Sequence, residues 1–401
     1  MRKFGPGLLV TAAFIGPGSV ATASAAGANF GFVLLWALLF SVIATIVLQE
    51  MAARLGLVSG AGLSQALRTT FNNPLLNRSA IILVVAAIGI GNAAYEAGNI
   101  SGAALGLQSL TPLSQQLCAL LIGALGAVLL GTGAFRLLEP ILVALVLIMS
   151  AVFVITMLIV DIDMGALLSG LFTPRIPVGS TLTVIALIGT TVVPYNLFLH
   201  ASLVQEKWRG IDTRQAIAES RNDTLISIGL GGLITLAIMS TSAVAFFNSG
   251  IEFSAPSLAT QLEPVLGASA NAFFAAGLLA AGLTSAITAP LAAAYAVTGA
   301  LGWPAQFTDR RFRAICMLVL LIGTVFAALG SKPIAAILFA QAANGLLLPV
   351  IAIFLIIIVN RADLLGEYRN KLASNVLGVT VVIAVTGLGL FNIARLFIHP
   401  A

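Results

Sequence analysis

Charge and cysteine are both scarce in this chain of 401 residues. Asp, Glu, Lys and Arg make up 8% of the sequence, whereas soluble domains carry roughly 25% charged residues. Hydrophobic residues make up 59%, so the composition predicts a polytopic helical membrane protein. Cys118 and Cys316 lie inside apolar runs, a pattern that indicates neither a disulfide framework nor a zinc site and favours small core side chains.

Signals for export and for catalysis are also missing. The N-terminal residues Met1, Arg2 and Lys3 lead directly into an apolar segment with no small-residue cleavage site after it, so we expect the chain to stay anchored by its own spans. No paired carboxylates, metal-ligand cluster or nucleophile and base are recognisable, so we expect no enzyme and no cofactor. A membrane sensor lacks support because no soluble signalling domain is present.

Runs of about 20 apolar residues predict an all-α chain with eleven transmembrane helices. A short surface helix is expected near Leu63 to Thr70, and residues 161–180 are interpreted as a polar connector. The predicted spans are 6–27, 31–53, 79–107, 114–131, 139–160, 181–204, 224–247, 269–300, 312–330, 333–359 and 374–397.

The basic residues sort by side of the membrane. With the N-terminus in the cytoplasm, sixteen of the 19 Lys and Arg residues fall inside, and Arg175, Lys332 and Arg395 fall outside. This asymmetry follows the positive-inside rule. It predicts an integral protein of a bacterial inner (plasma) membrane with its C-terminus outside, and it explains the net charge of +5 without nucleic-acid binding. The oligomeric state is left open.

Two of the predicted spans contain helix breakers near their middle. Gly16-Pro17-Gly18-Ser19 interrupts the apolar run from Leu8 to Ala28, and Thr190 to Asn196 interrupts the run from Leu182 to Leu203. Proline removes a backbone donor and glycine weakens a helix. Backbone groups freed in this way are tolerated in a membrane only where they are buried in protein or line a wet cavity. Interrupted spans in corresponding halves are typical of a transport site.

The position of the two breaks predicts an internal repeat. We expect one transporter domain over residues 1–401, with one repeat at 6–160, an inverted repeat at 181–359 and an extra helix at 374–397. Five helices in each half would invert the second half relative to the first, which places a pseudo-two-fold site at the bilayer midplane.

Several stretches are similar to Nramp-type (natural resistance-associated macrophage protein) divalent-metal transporters, and the match is collinear over nearly the whole chain. The resemblance implies a LeuT-like fold and secondary transport of divalent metal ions. The matching stretches are Gly5-Pro6-Gly7, Gly16 to Ser19, Ala26 to Gly31, Leu34-Leu35-Trp36, Ala52 to Gly56, Gly189 to Gln205 (GTTVVPYNLFLHASLVQ), Gly277 to Thr288 and Arg310-Arg311.

The sequence departs from this family at the residues that the resemblance assigns to metal. Metal-transporting members read Asp-Pro-Gly-Asn at the first break and Ala-x-x-Met-Pro-His-Asn at the second. The corresponding residues here are Gly16 for Asp, Ser19 for Asn, Thr190 for Ala, Val193 for Met and Tyr195 for His. A dehydrated divalent ion needs anionic or soft ligands, so we expect no tight binding of manganese or iron.

The chemistry of the breaks therefore leaves the substrate open. Neutral oxygens suit hydrated Mg²⁺, although even Mg²⁺ usually binds one or two carboxylates. Half-helix N-termini suit the carboxylate of a small zwitterionic or neutral organic solute. The residues predicted to line the substrate site are Gly16, Pro17, Gly18, Ser19, Thr190, Thr191, Val193, Tyr195 and Asn196.

Polar side chains inside other spans are candidates for coupling and gating. An ionisable group at membrane depth is costly and suggests a function, so Glu96 is a candidate proton carrier; the alternative is an ion pair with Arg310, Arg311 or Arg313. His200 is a candidate proton relay or a structural hydrogen-bond partner. Protons are the preferred coupling ion and Na⁺ is the rival. The amides expected to face the cavity are Asn92, Asn99, Gln341 and Asn344.

Overall fold

The computed structural model describes residues 15–330 and 332–398, apart from the side chains of Arg136 and of residues 391–398. The predictions that concern Arg2, Lys3, Gly5-Pro6-Gly7 and the first half of span 1 lie outside the described residues, as does the side chain of Arg395.

Helices account for nearly all of the described chain. Short 3₁₀ and α-helical turns lie between α10 and α11 and between α13 and α14. The helices of six residues or more are α1 (Pro17–Phe30), α2 (Leu35–Ser59), α3 (Leu63–Arg68), α4 (Pro74–Leu110), α5 (Gln115–Thr132), α6 (Phe135–Ile159), α7 (Met164–Phe172), α8 (Thr181–Thr191), α9 (Pro194–Lys207), α10 (Thr213–Phe246), α11 (Ala270–Leu301), α12 (Arg310–Leu329), α13 (Pro333–Val359) and α14 (Leu372–Ile398).

Ten helical segments within the described residues are long and apolar enough to cross a membrane. The segment Thr181–Lys207 combines α8 and α9, and α1 is the described part of predicted span 1. The predicted all-α membrane fold is confirmed, and the chain is an integral membrane protein.

One helix start and one missed helix differ from the prediction for clear physical reasons. Helix α10 begins at Thr213 instead of 224 because the Asp212 carboxylate accepts from the backbone of Arg214 at 3.1 Å, which caps a helix that continues beyond its apolar part. The residues interpreted as a polar connector contain α7, which is capped by Asp163 through a bond from Ala166 N at 3.0 Å. Nine residues are too few to cross a bilayer, so the search for apolar runs missed this helix.

The helices that carry the breaks pack together on one side of the molecule. Helix α10 packs against α1 and α2, while α8 and α9 also pack on α2. A second group forms around α4, which contacts α11, α12 and α13. Small residues allow this close approach, since a Cβ at Gly282 of α11 would lie 2.5 Å from the Ala103 Cβ of α4.

Contacts between the connecting segments show which helix ends lie at the same face of the bundle. On one face, the Arg361 guanidinium donates to the Thr69 carbonyl, and the Arg68 guanidinium fills the space beside Gly302. On the other face, Trp36 Nε1 donates to the Arg175 carbonyl at 2.9 Å. The segments that follow α2, α11 and α13 therefore share one end of the bundle.

Candidate transport site between the two helix breaks

Helix α1 begins inside the protein, at the first predicted break. Gly16 is the N-cap, with φ −104° and ψ −176°, and Pro17 follows as the first helical residue without any side-chain cap. Every residue from Ile15 to Ala28 is buried. Because the first N–H groups of a helix have no intrahelical partner, this start presents backbone donors in the interior, which attract negative charge.

The second break separates α8 from α9. Val192 and Val193 leave the helical conformation, with ψ values of 74° and 118°, and Pro194 begins α9. One carbonyl freed by the break is satisfied from α2, where Thr45 Oγ1 donates to Thr191 O at 3.3 Å. The interruption lies where the sequence predicted it.

A hydrogen bond joins the two breaks directly. Ser19 Oγ and Thr190 Oγ1 lie 3.0 Å apart, and both side chains are buried, at 1% and 0% exposure. The structure thus brings together two residues that are 171 positions apart in the sequence. Both occupy positions that the resemblance assigns to metal ligands, and both offer neutral oxygens.

Helix α13 supplies amide side chains beside the breaks. A Cβ at Gly18 would lie 2.1 Å from Gln341 Nε2, so the Gln341 amide packs directly on the first turn of α1. Its nitrogen and oxygen have no hydrogen-bond partner among the described residues. Unpaired buried amides are costly, and in a transporter they are available to bind a solute or water.

A small cavity lies beside the second break, between α4, α9 and α13. Its volume is about 10 Å³, and its walls include Asn92, Pro194, Tyr195 and Asn344. Both polar atoms of the Asn92 side chain and the amide nitrogen of Asn344 are buried without a hydrogen-bond partner among the described residues. Three of the four amides predicted to face a cavity, Asn92, Gln341 and Asn344, therefore lie near the breaks.

Tyr95 belongs to this site although sequence reasoning missed it. Its ring packs edge-to-face on Tyr195, with centroids 5.4 Å apart and an interplanar angle of 71°, and both rings are buried. A tyrosine in an apolar span is usually a core residue, so its type gives no signal. Its spacing of three residues from Asn92 and four from Asn99, which puts the three side chains on one helix face, could have indicated it.

Glu96 and Asn99 form a buried pair on α4. Asn99 Nδ2 donates to Glu96 Oε2 at 3.2 Å, and both residues are 0% exposed. The other carboxylate oxygen, Oε1, has no partner among the described residues. The aliphatic part of Glu96 packs on Gly323 of α12, where a Cβ would lie 2.5 Å from Glu96 Cγ.

His200 faces α10 from the second turn of α9. Its Nε2 lies 3.3 Å from Thr224 Oγ1, while Nδ1 is buried without a partner among the described residues. This is the hydrogen bond to a neighbouring helix that the structural interpretation of His200 expects.

Comparisons with known proteins identify the family of this chain. The model of the family described as "Natural resistance-associated macrophage protein-like" (Nramp) matches residues 7–395. The chain belongs to the Nramp family. A curated relative, the "Divalent metal cation transporter MntH" of Staphylococcus aureus (strain JH9), is 29% identical over 421 residues, which cover 98% of this chain and 91% of the relative.

Solved structures establish the fold of this Nramp-family chain. A crystal structure of the Eremococcus coleocola manganese transporter, in complex with an aromatic bis-isothiourea substituted compound, superposes with a TM-score of 0.75 at 22% identity and covers 98% of this chain and 86% of that one. MHP1, a nucleobase-cation-symport-1 family transporter, gives a TM-score of 0.58 at 16% identity and covers 100% and 94%. The LeuT-like fold is confirmed, and the chain is a membrane transporter rather than an enzyme.

This Nramp-family site differs chemically from a site for a bare metal ion. Residues 15–19 and 190–196 contain no Asp, Glu, His, Cys or Met. Among the side chains that the structure describes, no group of three or more His, Cys, Asp and Glu residues is placed to hold a metal ion. What remains is a set of hydroxyls, amides and backbone dipoles, which can bind a hydrated or neutral solute through hydrogen bonds.

The alternative interpretation of Glu96, an ion pair with a basic residue of span 9, is wrong. Glu96 meets α12 at Gly323, and Arg313 lies ten residues earlier, which is about 15 Å along a helix. Arg310, Arg311 and Arg313 are all exposed, and Arg311 packs over the Trp303 ring at 5.0 Å instead. The ion pairs found among the described residues are Arg54 with Glu50 and Arg361 with Asp363.

Proposed function

We propose that this Nramp-family protein is a secondary active transporter that works by alternating access and binds its substrate at the midplane, between broken spans 1 and 6. The tight packing of this region supports the proposal. Gln341 fills the space beside Gly18, and the cavity next to Tyr195 has about 10 Å³, room for roughly one water molecule at most. A solute enters only if the helices around the breaks move apart, as in other transporters with broken helices.

We propose a divalent metal ion that keeps its water shell, such as Mg²⁺, as the substrate. The MntH relative supports the substrate class. The observation that carries the hydrated form is the bond between Ser19 and Thr190, which puts two neutral hydroxyls where a bare ion would need anionic or soft ligands. Mg²⁺ dehydrates reluctantly and usually keeps several waters, and hydroxyls and amides can hold such waters by hydrogen bonds.

A small neutral or zwitterionic organic solute is the second candidate on the same scaffold. It is favoured by the buried amides of Asn92, Gln341 and Asn344, which have free hydrogen-bonding atoms among the described residues. The uncapped start of α1 would suit the carboxylate of such a solute.

For coupling, we propose protons carried by Glu96, with His200 as a second candidate relay. Glu96 is fully buried, its Oε1 has no partner among the described residues, and Tyr95 beside it touches Tyr195 at the second break. The protonation state of Glu96 can therefore respond to movement of α9. Na⁺ is the rival coupling ion, because freed carbonyls together with hydroxyls can hold it.

We propose a bacterial inner membrane with the N-terminus in the cytoplasm and the C-terminus outside, since the loops rich in basic residues share one face and such loops stay inside. We also infer two inverted repeats, residues 6–160 and 181–359, followed by an extra helix at 374–397. The matching positions of the two breaks support this division.

Uptake into proteoliposomes tests the substrate. Uptake of Mg²⁺, Mn²⁺ and a panel of amino acids is measured with and without a pH gradient. We expect saturable Mg²⁺ uptake at millimolar concentrations and negligible Mn²⁺ uptake at micromolar concentrations. Saturable uptake of micromolar Mn²⁺ would contradict the hydrated-ion proposal, and uptake of an amino acid without Mg²⁺ uptake would favour the second candidate.

A variant with restored ligands provides the matched control. Gly16→Asp, Ser19→Asn and Val193→Met together rebuild the ligand pattern that the family resemblance implies. We expect Mn²⁺ transport to appear in this triple variant and not in the wild type. Equal Mn²⁺ transport by the two proteins would show that the ligand positions do not determine the substrate.

A further inference from the structure

A large groove opens at the face that carries the basic loops, away from the helix breaks. Its volume is about 650 Å³, and its walls come from α2, from the first turns of α10, from the segment that joins α13 to α14 and from the start of α14. Five basic and two acidic side chains line it. The positive-inside rule accounts for basic residues at this face, but it does not require them to meet around one concave surface.

The acidic side chains do not neutralise the groove. Glu50 is occupied by Arg54, through bonds of 3.1 Å to each of its oxygens. Arg54 also donates to the Tyr368 carbonyl at 2.5 Å and to Asn370 Oδ1 at 2.7 Å. This pair is therefore internally balanced, and it anchors the segment between α13 and α14 to α2.

Four basic side chains of the groove are left without a counter-charge. Arg214, Arg221, Arg369 and Lys371 are exposed, and none of them forms an ion pair with any residue that the structure describes. Glu367 is the remaining carboxylate in the lining. Four like charges repel each other unless an anion lies between them, so the groove has the charge of an anion-binding site.

The walls of the groove change from charged to apolar along the same direction. Lys371 at the rim immediately precedes α14, and Leu377 follows six residues later, about 9 Å along the direction of that helix. On α10, Arg221 is followed by Leu225, and both leucines are in the lining. Leu225 and Leu377 are 44% and 48% exposed, so an apolar chain in the groove could reach them. A free anion would use the rim alone, whereas an amphiphile would use both parts.

We propose that this groove binds an anionic phospholipid, with the phosphate among Arg214, Arg221, Arg369 and Lys371 and an acyl chain along Leu225 and Leu377. Basic pockets between helices at a membrane face bind phosphate headgroups in this way. Thr224 lies in the same lining and contacts His200 of α9. The lipid therefore stabilises α10 next to the helix that continues from the second break.

Lipid binding to the purified full-length protein in detergent tests this proposal. Native mass spectrometry counts bound phosphatidylglycerol and phosphatidylcholine, and thermal unfolding is followed with each lipid and with inorganic phosphate alone. We expect phosphatidylglycerol to be retained in preference to phosphatidylcholine and to raise the melting temperature, and inorganic phosphate to do neither. Equal effects of inorganic phosphate and phosphatidylglycerol would assign the groove to a free anion and overturn the lipid proposal.

Two double variants of equal charge locate the site. Arg221→Gln with Arg369→Gln removes two groove cations, and Arg310→Gln with Arg313→Gln removes two exposed cations of the same face that do not line the groove. We expect the groove variant to bind phosphatidylglycerol about 25-fold more weakly, at about fivefold per basic residue, with an unchanged melting temperature in detergent alone. An equal loss in the control variant would show diffuse attraction to the face and overturn the proposal.

Discussion

The region where the two helix breaks meet, hereafter the chamber, and the basic groove differ in packing and in charge. The chamber is buried and close-packed, and it presents uncharged polar groups such as Ser19, Thr190 and Gln341. The groove has a volume of about 650 Å³ and is lined by five basic side chains. A charged side chain costs less free energy at the water-exposed face than at membrane depth, where the two breaks present uncharged dipoles instead.

This difference separates the two sites by the ligand that each can bind. A chamber of neutral groups discriminates by size and hydrogen-bond geometry, and it cannot offset two positive charges by itself. A groove in which four cations have no ion-pair partner among the described residues discriminates by charge. It follows that substitutions should have large effects in the chamber, where every atom has neighbours, and smaller effects at the face, where solvent replaces what is lost.

Gly189→Ala should have the largest effect. A Cβ at Gly189 would lie 1.9 Å from the Gln341 carbonyl oxygen, so α8 and α13 would have to separate at the second break, at a cost of about 1–3 kcal/mol or more. We expect a lower melting temperature in detergent and at least tenfold slower uptake in proteoliposomes.

Gly229→Ala in α10 is the matched control for Gly189→Ala. No atom lies within 4 Å of the position that its Cβ would take, and alanine favours a helix over glycine by roughly 0.5–1 kcal/mol. We expect an unchanged or slightly higher melting temperature. If the two variants behave alike, the close contact at Gly189 does not limit the chamber.

Glu96→Gln should abolish coupling but leave the protein folded. The amide keeps the size of the side chain, its packing on Gly323 and an oxygen that can accept from Asn99. We expect uptake in the variant to lose its dependence on the pH gradient, while substrate binding persists. Glu263→Gln, at an exposed position outside the helix breaks, should leave the pH dependence intact. Normal proton movement in Glu96→Gln would exclude Glu96 as the carrier.

Loss of the hydrogen bond between Ser19 and Thr190 should have an intermediate effect on the free energy of unfolding, which a double-mutant cycle measures. Ser19→Ala and Thr190→Val each remove one hydroxyl from a buried pair, and we expect a coupling free energy of unfolding of about 1 kcal/mol. Ser19→Ala combined with Thr380→Val, at an exposed position of α14, should give additive effects. Additivity in the first cycle would mean that the two breaks are not joined through these hydroxyls.

The sequence was a good guide to the helices because membrane spans follow from hydropathy alone. Span 10 was predicted at 333–359 and is found at Pro333–Val359, since Pro333 begins the helix and the apolar run ends at Asn360. The start of α10 was not predicted because it lies in a non-apolar segment and depends on capping by Asp212. Helix α7 was missed because its nine mostly apolar residues are too few to cross a bilayer.

The site was only partly predictable, for geometric reasons. Both breaks were found because proline and glycine act locally on the backbone. The packing of Tyr95 on Tyr195 and the contact of Glu96 with Gly323 depend on which face of α4 meets which neighbour. The spacing of Asn92, Glu96 and Asn99 puts these side chains on one face of α4, but it does not identify the helix that this face meets, so the prediction of an arginine of span 9 as a partner for Glu96 was wrong.

Asp363→Asn should have the smallest effect of all these variants. Asp363 is exposed and accepts from the Arg361 guanidinium, and this hydrogen bond, with the nearby positive charge, lowers the pKa of the carboxyl. A lowered pKa in the folded state stabilises the protein above the unfolded value of about 3.9, and the contribution is lost as the pH falls through the lowered value. Solvent screens such an exposed pair, so we expect a change in melting temperature of about 1 °C or less at pH 7 and none at the acid limit.

Arg361→Gln also removes the bond to the Thr69 carbonyl and should cost more at both pH values. A larger loss from Asp363→Asn than from Arg361→Gln would contradict the view that charges at this face act singly and weakly.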